Sequence, residues 1–381
     1  MVDVVVLAGL VLVAFAGGVL GAALGAYPAL AFSGFVIVVG EAARVAQGPL
    51  AAADAIDPVA PGATGITAGI GLGPGFGPHV VLGGGAAAAA YAARKGYLDT
   101  GFDYYEAKNV THALGTRVDV LSVGGTFGVV GLLLTALSAG TLGAAGDLPW
   151  PGLPWDPVAA SIVLSAFLHR LAFGYPLVGN VRGDLLDMTP FERGERRRPV
   201  AMAGESGGEN DTGSGGAVGS AADAAGRYVV EPWLPHQYRW GSVALLGAAV
   251  GVFGAFVAYL TGSAFLAFGI ALASTVFLAL GMEEAPVTYH MALPSSVLVV
   301  GLAGSTDPAT ITGALSLPVA TVAGAAVGVL AGVVGELAQR VLYAHADTHL
   351  DPPAASIVVT TFLIALLDVV GLLSQNAIPV P

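Results

Sequence analysis

The sequence predicts an all-α, polytopic membrane protein of about ten spans, built as two inverted structural repeats with re-entrant or broken-helix segments. Three observations lead there. Of 381 residues, 55 % are hydrophobic and only 10 % charged, and the mean hydropathy is +0.78; a soluble domain carries about 25 % charged residues. Apolar stretches near the ~20 residues that cross a bilayer recur along the chain. Motifs also recur in the same order in both halves.

Charge narrows the function classes. Asp and Glu number 26 against 14 basic residues, and Lys95 and Lys108 are the only lysines. Acidic, lysine-poor loops fit a halophilic, archaeal-like cell interior, where molar salt screens charge. A net charge of −12 argues against nucleic acid, whose phosphates need a basic face. Neither lysine lies in an apolar span, which argues against a retinal-type pigment. With no cysteine, disulfides, thiolate metal sites and cysteine nucleophiles are excluded. No phosphate loop, activated nucleophile or metal set is legible, so no enzymatic activity is expected and no cofactor beyond Na⁺ as a coupling ion.

Breakers mark off the spans in order. The first runs over 4–24 and, lacking a basic start, reads poorly as a cleavable signal; the second covers 28–46. A Pro/Gly-rich stretch, 47–78, precedes a Gly/Ala-rich helix over 79–93. Spans follow at 118–142 and 157–177. Residues 181–239 hold half of the basic residues, and 204–226 are Gly/Ser/Ala/Asp-rich, the composition of a disordered loop. Spans resume at 241–260, 263–280, 286–303, 318–343 and 354–373. The resulting organisation is a first transmembrane repeat (1–145), a linking helix (146–180), a basic loop (181–239) and a second repeat (240–381).

The repeat is read from several motifs. ATGITAGIGLGP (63–74) resembles ATITGALSLP (309–318), each preceded by an Asp-Pro pair, Asp57-Pro58 and Asp307-Pro308. Thr111-His112 and Thr348-His349 follow, and the copies close on GVVGLLL (128–134) and DVVGLL (368–373). The positive-inside rule puts 181–239 in the cytoplasm of a cell-membrane protein. Two even-spanning copies around one linking helix are then inverted, and the sequons at Asn109 and Asn210 face the cytoplasm, unmodified.

Inverted repeats with interrupted helices are the architecture of secondary transporters and of some channels. Backbone freed by a break must line a cavity or lie inside protein. The segments 62–78 and 305–318 fit, and they nominate Thr64, Thr67, Gly69, Thr310, Thr312 and Ser316 for substrate; the alternative is a buried hairpin whose threonines bond their own backbone. Ionisable residues inside spans are the second pointer: His169, Arg170, Glu336 and above all Asp368, either a coupling site or the ion-pair partner of Arg170. Glu41, Glu283 and Glu284 end helices beside the re-entrant segments, where a carboxylate opposes the helix dipole, so each is a coupling candidate or a solvated helix end. Asp119 reads as an interfacial pair with Arg117. His345 and His349 have metal-ligand spacing, but the Asp-Pro-Pro that follows breaks the helix; a role shared by His112 and His349 is the better expectation. Four-residue glycine spacing at Gly17, Gly21 and Gly25, and at Gly324, Gly328 and Gly332, allows close helix contact within the chain or in a homo-oligomer.

The runs PGFGPHVVLGGGAAAAAYAARKGY (74–97) and HALGTRVDVLSVGGTFGVVGLLL (112–134) resemble the large membrane subunit of tripartite tricarboxylate transporters over about sixty residues of the first half. That family has Pro-Gly re-entrant motifs, a Gly/Ala stretch ending in basic residues, then a Gly-rich span. The resemblance implies two inverted halves that move carboxylates with ion coupling.

The function expected is therefore a secondary transporter of a small solute, such as a carboxylate, coupled to Na⁺ or H⁺. The alternatives are a passive channel of the same architecture and a non-transporting subunit of a membrane complex.

Overall fold

The structure, a computed structural model, describes residues 4–47, 65–98, 106–140, 152–179, 181, 184–186, 188, 236–282 and 284–373. Among these residues there is no strand. The first half holds α1 (Val4–Leu24), α2 (Ala26–Gln47), α3 (Pro78–Arg94), α4 (Val118–Ser138) and α5 (Pro157–Ala172). The second holds α6 (Trp240–Thr261), α7 (Leu266–Ala273), α8 (Val276–Ala279), α9 (Tyr289–Ala303), α10 (Pro308–Ala314), α11 (Leu317–Ala338) and α12 (Pro352–Val369). Single π-turns occur at Thr67–Gly71 and Gln339–Tyr343, the latter prolonging α11. Asp57, most of the basic segment 181–239 and Asn210 lie outside the described residues.

Among the described residues, six helices are long and apolar enough to cross a bilayer: α1, α2, α4, α6, α11 with its π-turn, and α12. This is a helical membrane protein. The apolar helices α5, α7–α8 and α9 are shorter, where the hydropathy pattern predicts full spans. The 263–280 segment breaks because the hydroxyls of Ser274 and Thr275 turn back onto the carbonyls of Ala271 and Leu272, ending α7.

The 305–318 segment departs from expectation too. Expected as an interrupted segment lining a cavity or else as a buried hairpin, it is a short helix, α10, with Thr310 and Thr312 exposed on it and Ser316 exposed just beyond. The Asp307 carboxylate caps it, accepting from the backbone N–H (2.9 Å) and the hydroxyl (2.7 Å) of Thr310. Pro308 occupies its first turn, the position where proline favours a helix start.

Packing follows one pattern in both halves. α1, α3 and α4 contact one another, with α5 on α3 and α4. α6, α9 and α11 contact one another, with α12 on α9 and α11. α2 and α7 lie between the two groups and pack on each other, and α5 meets α12.

Glycine sets the closest approaches. A Cβ on Gly18 would sit 2.1 Å from the Gly124 carbonyl oxygen, and one on Gly251 would sit 2.1 Å from that of Gly324. Gly128 and Gly328 back onto Gly18 and Gly251 in turn. No larger residue fits there, so backbone touches backbone. The glycine faces that could have served a homo-oligomer are thus filled inside the chain.

Candidate functional site

α3 and α9 contain 17 and 15 residues, roughly 26 Å and 23 Å at 1.5 Å per residue, against a hydrocarbon core of about 30 Å. Both start inside the protein. His79, in the first turn of α3, backs onto Gly131 well within α4; His290, in the first turn of α9, backs onto Gly335 of α11. No side chain caps either helix, and Nδ1 of each histidine is buried without a hydrogen-bond partner.

α5 and α12 also start inside, but each carries its own cap. The Asp156 carboxylate accepts from the N–H of Ala159 (2.7 Å) and the Asp351 carboxylate from that of Ala354 (2.8 Å). Proline follows the aspartate in both, at the first helical position, so the aspartate–proline pair starts each helix at a defined residue.

These four starts surround one cavity of about 40 Å³ between the halves, reached by Pro78, Asp156, Tyr289 and Ala354. Its walls come in matched pairs: Leu30 with Phe265, Leu82 with Leu293, Ile162 with Ile357. Asp156 and Tyr289 are the residues with polar side chains on this apolar lining.

Behind Tyr289 lies Asp351, fully buried. Its Oδ2 accepts from the Tyr289 hydroxyl at 2.5 Å, and its Oδ1 from the Tyr27 hydroxyl at 3.1 Å. Nε2 of His349 is 3.7 Å from Oδ1, and the His349 ring stands edge-on to those of Tyr27 and Tyr343. Two tyrosine hydroxyls and the Ala354 N–H thus converge on one carboxyl group.

On the far side of this cluster is a second cavity of about 20 Å³, lined by Tyr27, His290, Glu336, Gln339, Tyr343 and His349, with the half-buried Gln237 at its rim. Glu336 is held there by Nε of Arg340 (2.6 Å) and the Gln339 amide (2.8 Å). Arg340 donates further to the carbonyls of Leu186 and Tyr238 and stacks over Trp240.

The structure distributes the sequence-nominated residues differently. Thr64 and Glu283 lie outside the described residues. Thr67 and Gly69 sit in the π-turn packed on α2, whereas Thr310, Thr312 and Ser316 belong to the α10 segment, which packs on α6 and α9. Thr312 returns its hydroxyl to the carbonyls of Pro308 and Ala309, the local bonding weighed as the alternative. Glu41 is buried and accepts from Ser263 (2.6 Å) and Arg44 (3.0 Å); Glu284 is exposed.

Asp368 is half-buried near the C-terminal end of α12, beside exposed Val369 and Val370. Arg170 is engaged elsewhere. It donates to the Thr348 hydroxyl and to the carbonyls of Leu177, Leu342 and Thr348, and His169 also meets the Thr348 hydroxyl. His112 is exposed while His349 is buried, so the two Thr-His motifs do not share a role. His345 turns to the Leu185 carbonyl (3.0 Å), away from His349's contact with Asp351. Asp119 pairs with Arg117 at 3.5 Å, as expected.

The residues that the structure gathers at its centre, Tyr27, His79, Asp156, Tyr289, His290 and Asp351, are not those the motif search selected. One signal would have found them. DPVAASIVLSAFL (156–168) and DPPAASIVVTTFL (351–363) are identical at nine of thirteen positions, a closer match than any Gly/Ala motif used above. A shared histidine two residues into α3 and α9 then follows from register.

A model of DUF7973, a family of unknown function, matches residues 1–381, and the chain belongs to that family. No curated protein and no solved structure matches it.

Proposed function

We propose that this member of DUF7973 is a secondary transporter whose two halves are inverted copies, with solute held in the cavity between them. The observation that carries this reading is the pairing of four helix starts around one cavity. α1 to α5 correspond to α6, α7, α9, α11 and α12, which makes α5 the fifth helix of the first copy rather than a linker. Each copy is taken to carry the chain across the membrane an odd number of times, its shorter helices starting inside the protein, so the second copy runs inverted to the first.

The contact between α2 and α7 supports a two-fold relation. Gly34 faces Leu272 and Ala273, and Gly269 faces Ile37 and Val38; the same offset of 235 relates all three pairs. Such reciprocity, in which i meets j′ and j meets i′, belongs to a two-fold interface. Broken helices meeting at a repeat interface are how secondary transporters build a site inside the membrane.

The solute class follows from the lining. Apolar walls suit a hydrocarbon body, and the side-chain-free N-termini of α3 and α9 favour a negative group. The negative charge of Asp156 is already matched by its own helix. A small monocarboxylate with an apolar body therefore matches this lining best, held in a state of the cavity wider than the 40 Å³ seen here. Coupling to an ion gradient and insertion in the cell membrane with 181–239 inside complete the reading.

Uptake of a panel of labelled monocarboxylates into proteoliposomes, under Na⁺ or pH gradients, tests it. Saturable accumulation above equilibrium is expected. Flux that only equilibrates each solute favours a channel, and no flux of any solute favours a complex subunit.

A further inference from the structure

The second cavity and the Asp351 cluster are continuous, and neither is needed to bind solute. Tyr27, His290 and His349 line the 20 Å³ cavity; Tyr27 and His349 also contact Asp351, and Asp351 contacts Tyr289, which lines the solute cavity. Proton-bearing groups thus lie in series from the half-buried Gln237 to the space between the halves, with the 20 Å³ cavity and the 3.7 Å His349–Asp351 contact as the gaps between them. We propose that this line is a proton relay, from Glu336 through His290 and His349 to Asp351 and on to Tyr289, and that the proton is the ion coupled to transport. The inference rests on the transport reading for its word "coupled", but the relay itself does not.

Three observations carry it. The cavity is large enough for one water, which needs about 10–15 Å³ and two to four polar partners. Two buried atoms on its lining residues, Nδ1 of His290 and the hydroxyl of Tyr343, have no hydrogen-bond partner in the protein; leaving such groups unmade costs roughly 1–3 kcal/mol each, which favours water in this cavity. The basic groups nearest Asp351 are imidazoles, His349 at 3.7 Å and His290 within electrostatic range, and an imidazole can take up a proton and hand it on. A cation site is the weaker reading, because both Glu336 oxygens are already engaged by Arg340 and Gln339.

The transfer balances simply. A proton arriving through the cavity water adds to Nε2 of His349, giving an imidazolium. It then passes to Oδ1 of Asp351, leaving neutral imidazole and neutral carboxylic acid. For release toward the solute cavity the acid hydrogen moves to Oδ2, where Tyr289 sits, and the Tyr289 hydroxyl turns outward; it then accepts that proton as it gives its own to a water in the cavity, and so ends unchanged. The surrounding charges are named from each packed element: Tyr27 from α2, Tyr289 and His290 from α9, Glu336 from α11, and Tyr343, with the ammonium of Lys108 over its ring (4.2 Å). From α5 come His169, within electrostatic range of His349, and Arg170, within range of Asp347. Lys108 donates to the Tyr343 carbonyl (2.7 Å), so the fixed positive charges flank the relay rather than occupy it.

Infrared difference spectra of the full chain in vesicles, stepped between about pH 5 and pH 8 where histidine charge changes, test the relay with the proton itself as probe. A buried carboxylic-acid carbonyl band that titrates is expected, lost in Asp351→Asn and shifted in frequency in Tyr289→Phe. Asparagine still caps the helix and phenylalanine keeps the ring, so both variants should fold, as their elution and helical content will show. A band unchanged in folded Asp351→Asn, or absent from the wild type, overturns the relay. Uptake in proteoliposomes separates the two readings: accumulation that follows a Na⁺ gradient with no change of internal pH removes the proton as coupling ion and leaves transport standing. Accumulation that follows a pH gradient, lost at least tenfold in Asp351→Asn, supports both.

Discussion

Asp156 and Asp351 do the same local work, each capping an apolar helix that opens with proline inside the protein, yet their surroundings diverge. Asp156 is half-buried, faces the cavity between the halves, and its backbone N–H reaches the Thr361 hydroxyl across the halves. Asp351 is sealed and takes two tyrosine hydroxyls beside an imidazole. The histidines show the same asymmetry: His290 lines a polar cavity with Glu336, whereas His79 is enclosed near Gly77 and Gly131. If the halves are copies, as proposed, their shared scaffold carries a polar centre built mainly by one of them. In the proposed mechanism the first half supplies the wall and the second supplies the proton chemistry.

The largest expected effect separates the two aspartates. Asp351→Ala should destabilise the protein by at least about 3 kcal/mol, since several buried donors lose their acceptor at roughly 1–3 kcal/mol each. Asp156→Ala should cost about 1 kcal/mol, the usual loss of a helix cap. Thermal unfolding in detergent reads both, and equal losses would break the contrast.

Substitutions at the shared scaffold should not discriminate between halves. Gly18→Val and Gly251→Val each force a Cβ into a carbonyl oxygen, and overpacking of this kind costs typically 1–3 kcal/mol. A large penalty in one half alone would argue that only that half is tightly packed. Ser161→Ala and Ser356→Ala form a milder pair. The Thr135 hydroxyl donates to Ser161, and Ser356 donates to the Ala331 carbonyl, so each tie between the fourth and fifth helices of its half should contribute about 1 kcal/mol.

The smallest effect lies at α10. Hydrogen bonds from the Thr310 hydroxyl and backbone hold the Asp307 carboxyl below its usual value. A group with a lowered folded-state value adds stability that is present above its ordinary titration range and lost as pH falls through the lowered one. Hydrogen exchange of 308–314 should therefore quicken only in acid, and Asp307→Ala should remove that dependence.

Hydropathy located the long spans well: 4–24 and 118–142 fall on α1 and α4, and 318–343 on α11 with its π-turn. It overextended 263–280, because an apolar window does not register two hydroxyls that close a helix on itself. The centre was harder to see for a different reason. Asp156 and Asp351 look like ordinary starts of exposed helices, and only tertiary packing buries them. The Asp-Pro-Pro at 351–353 even counted against His349, since a helix break argues against ligands on one helix face; the same break delivers His349 to Asp351. Gly/Ala motifs drew the comparison of halves toward residues that biased composition makes alike, and away from the aspartate–proline helices that match at nine of thirteen positions.

The central claim is that one cavity between two halves opens alternately to the two sides of the membrane. The chain has no cysteine, so a single cysteine at Leu82 or Leu293 reports on that cavity alone. Labelling by a membrane-impermeant maleimide, applied from either face with and without monocarboxylate and a pH gradient, measures its access directly. The account predicts opposed responses, in which conditions that speed labelling from one face slow it from the other. Labelling that rises from both faces together would mean an open pore, and labelling from neither face a sealed scaffold; either would contradict it.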